Sequence, residues 1–125
     1  MPAIKIKELQ HETDSWKRRL AFMKEENILF KNTISEILSD GFNRNLLEEV
    51  EEFQNRFIKA DEVIGLLRND IAEIDKLLLR EIFEDGKIVR EIELKFKRFR
   101  NHLLVAQRQF DNLKTEFNSF VGKNT

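Results

Sequence analysis

Residues Val89 to Phe120 read VREIELKFKRFRNHLLVAQRQFDNLKTEFNSF, and the apolar side chains of this stretch decide the fold. They fall at Val89, Ile92, Phe96, Phe99, Leu103, Ala106, Phe110, Leu113, Phe117 and Phe120, with gaps that alternate between three and four residues. That spacing draws one apolar seam along an α-helix and repeats every seven residues.

Two further segments copy its length and period. The first has its seam at Ile6, Leu9, Thr13, Trp16, Leu20, Met23, Asn27, Phe30, Ile34 and Ile37, with Thr13 and Asn27 as the polar members. The second has Leu46, Val50, Phe53, Phe57, Ala60, Ile64, Leu67, Ile71, Ile74 and Leu78. Helices are expected over about 3–38, 43–84 and 86–121, making residues 1–125 a single domain. Thr13-Asp14-Ser15 offers a competing helix start, since all three are cap formers, but Ile6 and Leu9 keep the phase upstream. Ser39-Asp40-Gly41 ends the first helix, with Gly41 suited to the left-handed conformation. Asn45 with Glu48 has the spacing of a capping box, and Asp85-Gly86 ends the second helix and caps the third. Gly122 and the polar tail beyond it are expected to fray.

Three helices joined by short turns predict an all-α, antiparallel up-down-up bundle with coiled-coil-like heptad packing. Matching the seams end to end gives ten layers, among them Phe30/Phe53/Leu113, Asn27/Phe57/Phe110, Met23/Ala60/Ala106 and Trp16/Leu67/Phe99. Flanking charges choose between the two hands of such a bundle. One hand opposes Lys24 to Asp61, Asp70 to Lys95, Lys5 to Glu93, Glu12 to Arg100 and Glu26 to Lys114, and brings Leu77 to Ile88. Its clashes are Lys17 with Arg68 and Glu49 with Glu116. The mirror hand opposes Glu12 to Asp70 and Arg68 to Arg100. The first hand is preferred, with the helices running counter-clockwise seen from the start of the first.

Composition narrows the chemistry. The chain has no cysteine, which removes disulfides and thiolate sites and fits a reducing compartment. Its opening Met-Pro-Ala-Ile-Lys-Ile-Lys lacks the apolar run of a secretion signal, and no stretch approaches a membrane span. A cytoplasmic protein without membrane contact is expected. The net charge of −1 selects neither nucleic acid nor membrane as a partner. Charge is uneven along the chain, with 6 basic and 10 acidic residues over 42–81 against 8 and 4 over 87–121, so the second and third helices attract.

Candidate sites are few. Glu8-Leu-Gln-His11 has the Glu-x-x-His spacing of carboxylate-bridged metal bundles. It lies off the seam, however, and His102 is about 13 Å along the bundle from His11. No metal, cofactor or small-molecule substrate is expected, and no enzyme. Asn27 reads as a register-fixing polar residue, and the thin Met23/Ala60/Ala106 layer raises the question of a cavity. Lys87, Arg90, Lys97, Arg98 and Arg108 offer an alternative nucleic-acid face on the third helix. Glu91 and Glu93 interrupt it, and a solvated face is preferred. More informative are Phe22, Ile28, Leu29, Ile58, Leu66, Leu104 and Val105, apolar residues off the seam and near mid-height. Such exposed clusters mark contact surfaces, and a homodimer is the expected form.

The run Trp16-x-x-x-Leu20-x-Phe22-x-x-x-Glu26, followed by Val50-Glu51-Glu52-Phe53-Gln54-Asn55-Arg56-Phe57-Ile58, resembles a group of short bacterial helical-bundle proteins of uncharacterised role. The likeness covers about the first half of the chain. It implies a helical bundle and carries over no catalytic residue.

Overall fold

The computed structural model describes all residues except 1, 41–43, 85, 87 and 125, and leaves out the side chains of 4, 44 and 84. Helix α1 spans Ala3–Ser39, a single 3-10 turn follows at Arg44–Leu46, α2 spans Leu47–Glu84 and α3 spans Val89–Lys123. The chain goes up, down and up, with α1 packed on α2 and α2 on α3. The all-α three-helix bundle expected from the seams is the observed fold.

Helix ends follow local chemistry. Pro2 caps α1 in an extended conformation and its carbonyl accepts the Ile6 N–H, as suits a residue with fixed φ and no donor of its own. Helix α1 passes through Thr13-Asp14-Ser15 without a break. The buried Thr13 hydroxyl donates to Gln10 O at 2.9 Å, so this polar seam member is satisfied within its own helix. Glu48 and Glu49 occupy the first turn of α2, where the helix dipole favours acids. The expected roles of Gly41 and Asp85 lie outside the described residues. Helix α3 starts at Val89, later than anticipated, with Ile88 as its N-cap. It also runs past Gly122 to Lys123 rather than fraying, and Asn124 Nδ2 donates to Phe120 O at 2.8 Å.

All thirty seam positions are buried or half-buried. Trp16, 4% exposed, lies with its ring centroid 4.3 Å from Phe99 and 5.0 Å from Phe96. A second aromatic group centres on Phe117, which meets Phe57 at 5.0 Å, Phe53 at 5.3 Å and Phe30 at 5.6 Å. Rings from all three helices meet here, and the α1 and α3 backbones lie further from each other than either does from α2.

The predicted hand is observed. Glu12 accepts a bidentate pair from Arg100 at 2.7 and 2.6 Å, and Glu26 pairs with Lys114 at 2.6 Å. One edge of α1 therefore faces α3. The opposite edge carries Lys17 on Asp75 at 2.6 Å, and Lys31 on Asp61, and so faces α2. Because the helix is right-handed, these edges fix a counter-clockwise order seen from the start of α1. The Glu12 hydrogen bond raises the Arg100 pKa; desolvation opposes it, and the Glu12 charge adds to it.

The register of α2 differs from the end-to-end match by one layer, about 5 Å. Phe57 stacks on Phe30 at 5.4 Å and lies against Phe117, where Phe53 was expected beside Phe30 and Phe110 beside Phe57. Asp61 meets Lys31 instead of Lys24, and the pairing of Asp70 with Lys95 is not formed. The physical reason is visible at both predicted clashes. Lys17 now has Asp75 where Arg68 was expected, and Glu116 has Arg56 in place of Glu49.

Asn27 pins this register. It is fully buried, and its Nδ2 donates to Phe57 O at 2.9 Å and to Asp61 Oδ1 at 2.6 Å. Those two acceptors bracket Ala60, so the polar side chain meets a methyl group where the end-to-end match put a benzyl ring. The slide also brings an eleventh residue of α2 into the seam. Glu81 is 2% exposed, and its carboxylate accepts the Gly86 N–H at 2.7 and 3.0 Å. Gly86 has φ 86°, a region where a Cβ is strained.

Two measurements test this account. Asp61→Ala is expected to lower the unfolding free energy in urea by about 1–2 kcal/mol, because it strands a buried Asn27 donor. In an Asn27→Leu background the same change should cost under about 0.5 kcal/mol; equal costs in both backgrounds would remove Asn27 as the register pin. Glu81→Ala should cost about 1.5–3 kcal/mol by the same assay, by removing the hydrogen bonds from the Gly86 N–H to a charged carboxylate.

Candidate interaction surface

On a helix with a seven-residue seam, residues seven apart lie along one row. The rows and the ion pairs together place seven exposed apolar side chains over particular grooves. Phe22 and Leu29 on α1 and Leu104 on α3 flank the α1–α3 groove. Ile28 and Ile58 flank the α1–α2 groove, and Leu66 and Val105 the α2–α3 groove. All seven are between 44 and 64% exposed. The register sets them within a narrow band of height, with Phe22, Leu66, Leu104 and Val105 nearly level and Ile28, Leu29 and Ile58 about two turns above. They form a belt around mid-height rather than a single face.

A second group escaped the sequence reading. Leu79, Ile82 and Phe83 near the end of α2 and Leu94 on α3 are exposed, Phe83 to 80%. The signal was present in the apolar run Leu77 to Leu79 and in Ile82-Phe83. Leu77 and Ile88 from the same region, expected to meet, are both buried in one core cluster.

The grooves are clefts of different character. Between α2 and α3 lies a cleft of about 380 Å³, floored by Met23, Ala60, Ile64 and Ala106 and rimmed by Lys59, Gln109 and Asn112. The thin alanine region thus opens outward as a groove. Between α1 and α2 a cleft of about 560 Å³ holds Ala21 and Ala72 beneath Lys24 and Arg68. Asn27 Oδ1 is the one buried side-chain polar atom among the described residues without a hydrogen-bond partner. Asn27 lines neither cleft.

The basic residues of α3 do not gather into a track. Arg90 and Lys97 lie on the row towards α1, Arg108 on the outermost row and Arg98 towards α2, with Leu94 and Leu104 between them. All four are exposed; Lys87 lies outside the described residues. Arg100 is held by Glu12. His11 and His102 are both exposed, and among the described residues no three His, Asp or Glu lie close enough together to hold a metal ion. No described helix is long and apolar enough to cross a membrane. Comparison with protein-family models, with curated proteins and with solved structures found no match.

Proposed function

We propose that this chain is a non-catalytic, cytoplasmic helical-bundle protein that acts through protein–protein contact and self-associates through its mid-height belt. The belt carries the proposal. Seven large apolar side chains within about two helical turns of one another, each 44% exposed or more, are more than scattered surface hydrophobicity requires, and burying them against a second protein is the favourable outcome. Their placement off the seam supports the same reading, because the bundle closes its core without them.

A second reading, nucleic-acid binding along α3, has Arg90, Lys97, Arg98 and Arg108 in its favour. It requires an affinity that falls steeply with salt and weakens when Arg90 and Arg98 are neutralised. The spread of the four over three rows makes it the lesser of the two.

Sedimentation velocity with light scattering tests the leading proposal. The wild-type chain is expected at twice its mass of 15.0 kDa, and a variant combining Phe22→Glu, Leu66→Glu, Leu104→Glu and Val105→Glu at the mass of one chain. A wild type that stays at one chain mass up to roughly 100 μM, a concentration at which even weak interfaces form, overturns the proposal.

A further inference from the structure

Of the three grooves that the belt crosses, only the α2–α3 groove combines a lip that reads as its own complement when reversed with a second lip that opposes no like charges. Along the α2 lip of the α2–α3 groove, residues seven apart are Glu52, Lys59, Leu66, Glu73 and Arg80, all exposed. Reversal about Leu66 sets Lys59 on Glu73 and Glu52 on Arg80. The α3 lip holds Val105 level with Leu66, a height fixed by the pairing of Arg56 with Glu116 and by Phe57 on Phe117. Reversed about Val105, that lip sets Arg98 on Asn112 and brings no like charges together.

We infer that the α2–α3 face is a two-fold interface with a second copy of this chain, the two bundles lying antiparallel, α2 on α2 and α3 on α3. The inference rests on the self-association proposed above and names its face. Leu66 and Val105 lie on the axis against their own copies. Lys59 of each chain pairs with Glu73 of the other, so each contact occurs twice, as an isologous interface requires.

The other grooves fit a second copy less well. On the α1–α3 lips, an antiparallel copy turned about Phe22 sets Glu8 on Glu36, whereas a parallel copy sets Leu29 on Asp111. On the α1–α2 lips the row contains Ala21, Gly65 and Ala72, which offer little apolar area to bury. The size is also sufficient. A face running from Glu52 to Arg80 is about 42 Å long and two helices, about 20 Å, wide, close to the roughly 800 Å² per partner of a standard interface.

The experiment is a dissociation constant by sedimentation, with single substitutions on full-length chain whose helicity is checked by circular dichroism. Each altered side chain is exposed, so folding should be unaffected. Leu66→Glu is expected to weaken dimerisation by about 30-fold or more, as loss of a central contact does, and Phe22→Glu by less than about threefold. Lys59→Glu should weaken it about tenfold, and Lys59→Glu with Glu73→Lys should restore it, since the swapped charges meet across the axis. A dimer that survives Leu66→Glu but is lost with Phe22→Glu overturns this face while leaving self-association standing. Failure of the charge swap to recover affinity overturns the antiparallel alignment. A wild type that never dimerises removes both proposals together.

Discussion

The bundle depends on where one amide finds its acceptors. An apolar seam can slide along another by a layer and still present leucine to phenylalanine, because dispersion and desolvation carry little directional information. Asn27 Nδ2 is different. It is fully buried, and only one position of α2 offers it both Phe57 O at 2.9 Å and Asp61 Oδ1 at 2.6 Å. A buried donor without an acceptor costs about 1–3 kcal/mol, enough to reject neighbouring registers that the apolar contacts alone tolerate. The orphaned Oδ1 marks the cost of that specificity: Asn27 stabilises one alignment more than it stabilises the fold.

Once α2 is placed, the electrostatics of the flanks follow. Lys17 reaches Asp75, Lys31 reaches Asp61 and Arg56 reaches Glu116. Each is partly exposed and worth about 0.2–1 kcal/mol, so none of them alone sets the register. They agree with Asn27, however, and together they remove both like-charge contacts of the end-to-end alignment. The arrangement has its own cost, since Lys24 loses Asp61 and shares the α1–α2 cleft with Arg68. Three attractive contacts against one repulsive one leave a balance in favour of the observed slide. At the far end, the slide carries Glu81 into the seam, where its carboxylate organises the turn through Gly86. One layer of displacement thus accounts for the polar core, the flanking pairs and the turn chemistry.

How much of this was legible in the sequence depends on which physical property carried the information. The seams were fully legible, because burial of Leu20, Phe96 or Leu103 follows from period alone. The hand was legible too, through Glu12 with Arg100 and Glu26 with Lys114, since residues five apart along parallel helices remain opposed whichever layer α2 occupies. The register of α2 was not. Counting seams from their ends treats Leu46 as the first full layer, whereas it sits in the 3-10 turn and is only half-buried. Counting also excluded Glu81 from the core, because a carboxylate earns burial only when a turn supplies a donor, and the Gly86 N–H cannot be seen from spacing. The predicted Lys17–Arg68 and Glu49–Glu116 contacts were in fact the warning, two local conflicts in an otherwise consistent pattern. For the surface, exposure of Phe22 or Leu66 was legible from phase, while their distribution over three grooves needed the hand and register together.

Stability and contact are carried by different residues in this design. The seam holds the fold, with the aromatic group around Phe117 at one end and Trp16 with Phe99 at the other. The belt lies on the lips of the grooves, where truncating Leu66 or Val105 opens no hole in the core. A bundle built this way is free to vary its surface without losing its register, because Asn27, Asp61 and Glu81 all lie inward of the lips. Register nevertheless governs the surface. Had α2 stayed one layer lower, Leu66 would stand about 5 Å away from Val105 along the groove, and the charges on the two lips would no longer share a common centre. The buried amide of Asn27 therefore sets the level of two leucine-sized side chains on the outside of the molecule.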